Sequence, residues 1–174
     1  RAICLRMEKT LQRIGFGGGC HWCTEAVFQS LKGVAKVEQG FIASLPPYEA
    51  LSEAVIVHYD PAKISLSDLI AVHIDTHSST ANHRLRDKYR SAVYGFDEIQ
   101  IAAAKAVLNE TKSELGEALV TEVLAFATFR PSDEQYQNYY HSNRDKPFCK
   151  TFIDPKLNRL RMVHAHVLST DGKR

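Results

Sequence analysis

A chain of 174 residues, 44% hydrophobic and 24% charged, has the size and make-up of one globular domain whose core needs no staples. Its formal charge of +2 and the lack of a dense basic patch exclude nucleic acid as an implied partner, and no apolar run approaches the roughly 20 residues that span a bilayer. Four cysteines (Cys4, Cys20, Cys23, Cys149) are too few for a disulfide scaffold, so the expectation is free thiols in a monomeric cytoplasmic protein.

The opening RAICLRMEKTLQRIG does not read as a signal peptide, because charges interrupt each apolar run. Arg13 to Gly17 reads as a strand feeding three glycines and Cys20. A helix follows with Cys20, Cys23, Thr24, Val27, Phe28 and Leu31 on one face and Gly33 at its end. VAKVEQGFIAS and SEAVIVHY, from Val34 and Ser52, are strands, the second apolar on both faces and therefore central. A helix is predicted from Ser65 to His77, then a strand in SAVYGF from Ser91. Asp97 and Gln100 form a capping box for a helix whose inward face is Ile99, Ala102, Ala103, Ala106 and Val107. LVTEVLAFATF from Leu119 reads as one further strand, and Ser132 and Gln135 cap a last helix carrying Tyr136, Tyr139 and Tyr140. Nothing divides the chain, so residues 1–174 form one domain, with 150–174 a largely irregular tail. The order β-α-β-β-α-β predicts an α+β, two-layer ferredoxin-like (split βαβ) sandwich with a mixed sheet and a C-terminal extension.

The chemistry concentrates at GFGGGCHWC. Glycines admit close backbone approach, and Cys20 falls at the first turn of a helix, where free amides and the dipole stabilise a thiolate. Such a thiol can serve as a nucleophile, as half of a redox disulfide with Cys23, or as a metal ligand. A phosphate loop is excluded by the missing lysine and hydroxyl.

GGGCHWCTEAVFQSLKGV, followed in order by SEAVIVHYDPAKISLSDLI, a histidine-containing segment, KYRSAVY, and YQNYYHSN leading to a cysteine, resembles the type A methionine sulfoxide reductases, the peptide-methionine (S)-S-oxide reductase family. The resemblance covers roughly residues 13 to 149. It implies a single catalytic domain in which Cys20 attacks the sulfoxide sulfur, Trp22 walls the methyl pocket, and Glu53 donates a proton to the oxygen. It further implies that the Tyr48 and Tyr89 hydroxyls hold that oxygen, that Tyr139 lines the site, and that Cys149 recycles the enzyme with thioredoxin as reductant. No cofactor is implied. The chemistry is coherent, since a soft nucleophile suits sulfur and a desolvated carboxyl can stay protonated near neutrality. A sulfenic acid on Cys20 would then condense with a second thiol.

The chain also departs from the family. His21 stands where phenylalanine is usual, a smaller polar ring that would stabilise the Cys20 thiolate if protonated. Cys23 replaces a residue that is usually unreactive, so it can resolve the sulfenic acid in place of Cys149. The link from Tyr48 to Glu53 is short, and Asp87 is the candidate for the family's site aspartate. Two other functions compete: a dithiol-disulfide oxidoreductase using Cys20 and Cys23, and a zinc module joining those thiols to His73 and His77.

Overall fold

The computed structural model describes residues 10–77, 79, 81, 85–116 and 118–169. Strands β1 (Gln12–Gly17), β2 (Val34–Ala43), β3 (Ser52–Tyr59), β4 (Ala92–Gly95), β5 (Glu122–Ala125) and β6 (Thr128–Pro131) form one sheet ordered β5-β4-β1-β3-β2-β6. Only the β4–β5 pairing is parallel. Helix α1 (His21–Gln29) joins β1 to β2, α2 (Leu66–Thr76) joins β3 to β4, and α3 (Glu98–Leu115) joins β4 to β5. The fold is mixed α+β, and none of the described helices is long and apolar enough to cross a membrane.

Alternation along the strands makes two cores. Ile14 and Phe16 of β1, Val55 and Val57 of β3, and Val93 of β4 face the helices. Ile42, Ala54, Ile56, Ala92 and Tyr94 face the other way. With both of its faces covered, β3 tolerates the continuous apolar run seen in its sequence. Phe16 stacks on Phe28 at 4.5 Å and fixes α1 over β1. Deleting such a buried ring costs about 3–5 kcal/mol.

The run from Leu119 to Phe129 is not one strand. It divides into β5 and β6, which lie on opposite edges of the sheet with only Phe126 and Ala127 between them. A link that short reaches on the order of 10 Å, so the sheet must curl until its edges approach. The Phe126 N–H donates to Gly95 O and the Ala127 N–H to Ala43 O, tying both edges to the link. Gly15 permits the curl. A Cβ there would sit 2.8 Å from Ile42 Cδ1 and 2.9 Å from Tyr94 Cβ, side chains that meet across β1 from strands on either side.

Other expectations shift too. Helix α1 stops at Gln29, and Gly33 (φ 76°) serves the turn into β2 instead of the helix end. Asp97 does cap α3, accepting the Gln100 N–H at 2.7 Å, but the buried positions are Ala104 and Leu108, while Ile99 is exposed. The cap sets the phase of the helix, and Ala104, Val107, Leu108 and Thr111 make the regular inward stripe. The single tyrosine helix is broken. Asn138 (φ 55°) separates a 3-10 turn at Glu134–Tyr136 from α4 (Tyr139–Ser142). Among the described residues after Phe148, the expected irregular tail instead forms a π-helical turn at Cys149–Ile153 and α5 (Asp154–Val163), whose Leu157 and Leu160 enter the core.

Candidate active site

Cys20 is the residue that caps α1 at its N-terminus. Around its sulfur lie the Cys23 thiol and the backbone N–H groups of Trp22 and Cys23, all of which favour the thiolate. Those contacts hold the Cys20 thiol below its ordinary range, against burial and the nearby charge of Glu53, with the Cys23 thiol the largest influence. Cys23 is displaced the other way: donating to Cys20 and being buried push its thiol far up. The two sulfurs therefore divide their roles, one shifted toward the thiolate and partly exposed, the other shifted toward the thiol and buried.

The glycine loop is braced from behind. His73 Nε2 donates to Gly17 O at 2.7 Å, and Arg86 Nη1 donates to Gly18 O at 3.2 Å and Tyr89 O at 3.0 Å. A Cβ on Gly17 would press on Arg90 O at 2.9 Å and Glu53 O at 3.0 Å, and one on Gly18 would run into the His77 ring. Only Gly19 is sterically free. His77 is itself spent on Ser91 Oγ and His73 O, and no grouping of three metal-capable side chains occurs among the described residues. The zinc arrangement of Cys20, Cys23, His73 and His77 is not assembled, because both histidines support the loop.

Glu53, on β3, is buried, and burial pushes its carboxyl up to about 6. The Lys88 charge and a hydrogen bond from the Tyr89 hydroxyl act in the opposite sense. His21 lies against it, with Nε2 at 3.1 Å from Glu53 Oε1 and Nδ1 at 2.7 Å from Gly40 O. Burial holds the imidazole below its usual range, so the charged ring that would assist the Cys20 thiolate is not favoured. Tyr48 is not brought to Glu53. Its hydroxyl meets Glu122 on β5 and Arg90 covers its ring, because the tight turn at Leu45–Tyr48 aims it along the other edge. Asp87 is exposed on the turn before Tyr89.

Aromatic rings close one side. Trp22 stacks on Tyr139 at 3.9 Å and on Tyr136 at 5.8 Å, with Phe148 edge-on at 5.3 Å. Together with His21, Phe41, Arg130 and Asp133, Trp22 and Tyr136 line a cleft of about 530 Å³. Cys149 is fully buried, and Cys23 lies close enough to feel its charge.

Two contributors escape a reading of motifs alone. Glu25, buried inside α1, accepts the N–H groups of Asn138 and Tyr139 and the Gln39 amide, and so seats Tyr139 on Trp22. Phe41 pairs directly with Glu53 across β2 and β3 and meets the His21 ring edge-on at 5.1 Å. A carboxylate on the apolar face of a helix and the register of the β2–β3 hairpin were the available signals.

The sequence pattern of the peptide methionine sulfoxide reductase family matches residues 12–167. Peptide methionine sulfoxide reductase MsrA of Deinococcus radiodurans is 35% identical over 88% of this chain and 82% of its own. The enzyme of the same name from Acinetobacter baumannii is 34% identical over 91% and 99%. Methionine sulfoxide reductase A of Corynebacterium diphtheriae shares the fold at TM-score 0.67 and 24% identity, covering 80% of this chain and 78% of its own. Reduced Mxr1 of Saccharomyces cerevisiae does so at 0.68 and 21%, covering 82% and 91%. Mxr1 has also been solved in complex with Trx2, at 0.59 and 19%, covering 72% and 84%. A thiol-dependent reductase of methionine sulfoxide is thus the enzyme whose chemistry these side chains must perform, and the chain belongs to the peptide methionine sulfoxide reductase family.

Proposed function

We propose that the Cys20 thiolate reduces the (S)-sulfoxide of methionine, free or in proteins, with Glu53 as proton donor. The single observation that carries this reading is the placement of Cys20 at the N-terminus of α1, within electrostatic reach of the buried carboxyl of Glu53. Cys20 Sγ attacks the sulfoxide sulfur while Glu53 protonates the oxygen. The sulfur–oxygen bond of the substrate breaks, leaving methionine and a Cys20 sulfenic acid. One proton is consumed, and the electron pair comes from the thiolate. A positioned acid contributes about 10²- to 10⁴-fold to such a step. Trp22 and Tyr139 wall the substrate methyl group, and Tyr89 steadies the carboxyl.

Cys23 then attacks the sulfenic sulfur, expelling water and closing a Cys20–Cys23 disulfide; the proximity of the two thiols at the start of α1 supports this choice. Cys149 follows by exchange onto Cys23, releasing Cys20, and an external dithiol resets the enzyme. The structure of Mxr1 with Trx2 supports thioredoxin in that role. Cytoplasmic location and a monomer fit this cycle. The antiparallel order β4-β1-β3-β2, with α1 and α2 as crossovers, supports a ferredoxin-like core.

The test is methionine formation from methionine (S)-sulfoxide with dithiothreitol. Wild type is expected to turn over and Cys20→Ser to be inert; turnover by Cys20→Ser would overturn the reading.

A further inference from the structure

His21 occupies a position whose geometry is more specific than packing requires. Its Nδ1 lies 2.7 Å from the carbonyl oxygen of Gly40. A carbonyl offers only lone pairs, so Nδ1 carries the hydrogen. The neutral ring is then left with a bare lone pair on Nε2, and that atom lies 3.1 Å from Glu53 Oε1. Two acceptors cannot face each other at this distance without a hydrogen between them. Both side chains are buried, His21 at 4% and Glu53 at 8% exposure, so water does not supply it. Glu53 Oε2 is also buried, with no hydrogen-bond partner among the described residues.

We propose that His21 is a positioning residue that holds the catalytic proton of Glu53, the two side chains sharing one hydrogen between Nε2 and Oε1. The inference rests on the reading of Glu53 as the proton donor and adds a role that phenylalanine at this position cannot fill. When a sulfoxide oxygen docks at the carboxyl, rotation of the carboxyl group brings the proton to it. Donation leaves a carboxylate oxygen facing the bare Nε2, an unfavourable pairing that solvent relieves by returning one proton. One proton leaves and one returns per turnover, and no electrons pass through the pair.

The groups that bear on this proton come from every side. Lys88 disfavours both a charged His21 and a protonated Glu53, and the Tyr89 hydroxyl favours the ionised carboxyl. Cys20 lies within electrostatic reach of Glu53. Arg130, stacked on Phe41 at 4.8 Å, and Asp133 line the same cleft. Against these influences His21 favours the protonated acid, because a hydrogen bond to the neutral form of a carboxyl disfavours its ionisation.

Two measurements on the intact protein decide the matter. In ¹⁵N NMR, the His21 ring should show a protonated Nδ1 and an acceptor Nε2, with Nε2 changing as the pair loses its proton. Glu53→Gln should keep the tautomer and abolish that change. In single-turnover methionine formation, the alkaline limb of His21→Phe should fall about one pH unit lower than that of wild type, the equivalent of one ordinary hydrogen bond. An identical alkaline limb in both proteins, or a ring protonated on Nε2 with Nδ1 bare, would overturn the proposal. Failure of wild type to form any methionine would instead sink the assigned reaction, and the NMR result would still decide whether the proton is shared.

Discussion

Glu25 and Tyr139 are 114 residues apart in sequence, yet the carboxylate Oε1 of one accepts the backbone N–H of the other at 3.0 Å. The second oxygen accepts the N–H of Asn138 at 2.9 Å, and Gln39 Nε2 donates at 3.0 Å. A single buried side chain thus pins the left-handed turn at Asn138 and sets the Tyr139 ring 3.9 Å from Trp22. Glu25→Ala would strand the buried Tyr139 N–H and leave the Asn138 N–H to solvent, while Gln39 Nε2 keeps Tyr136 O as an acceptor. The expected result is a loss of about 1–3 kcal/mol in urea unfolding, together with a raised KM for peptide sulfoxides. An unchanged unfolding midpoint would show that the turn is held by something else.

Glu53 trades stability for chemistry. Its carboxyl is raised in the folded chain to about 6 from an ordinary 4.5, so the folded state holds the proton more tightly than the unfolded one. That contribution is complete below pH 4.5 and is lost as pH rises through 6. Glu53→Gln, whose amide can donate to His21 Nε2, escapes the loss. The variant should be more stable than wild type by up to about 2 kcal/mol at pH 8, and lose that advantage near pH 4.5, while its catalysis falls. Thermal melts at the two pH values check the sign; a variant less stable at pH 8 than at pH 4.5, relative to wild type, would contradict it.

Cys23 is the largest influence lowering the Cys20 thiol. Cys23→Ala should therefore move the midpoint of Cys20 alkylation by iodoacetamide to higher pH, since the backbone amides remain but the thiol donor is gone. A midpoint that stays in place would assign the thiolate to the helix terminus alone.

The glycine loop allows a paired comparison. Gly18→Ala meets the His77 ring, which hydrogen bonds to Ser91 and His73 hold in place, and should destabilise the fold by about 1–3 kcal/mol. Gly19→Ala has no neighbour within 4 Å and should be close to neutral. Equal losses in the two variants would mean that backbone freedom, not the packing of His77, governs the loop.

Elements whose information is local were legible in the sequence. SEAVIVHY is β3 from Ser52 to Tyr59, Asp97 caps its helix where the spacing predicts, and the helix expected from Ser65 begins at Leu66 with Ser65 as its cap. What escaped was information held between distant segments. Nothing in LVTEVLAFATF says that Phe126 and Ala127 must cross from one sheet edge to the other, because that follows from the curl closed over Gly15. The tyrosine segment has helical periodicity, but Glu25 claims the amides of Asn138 and Tyr139 that a continuous helix would need. At the site, the glycines and the helix start single out Cys20, whereas Glu53 enters through the family resemblance, since a carboxylate at the start of a strand reads by itself as exposed. The turn of Tyr48 toward Glu122 and the pairing of His21 with Glu53 depend on β-strand register and loop geometry that no single motif encodes.

The reaction turns on which sulfur takes the oxygen. Cys23→Ser/Cys149→Ser protein, given one equivalent of methionine (S)-sulfoxide without reductant and trapped with a 1,3-diketone, should yield one equivalent of methionine and an adduct mapped by mass spectrometry to Cys20. Methionine released with no adduct at Cys20, or with the label on another residue, would contradict it.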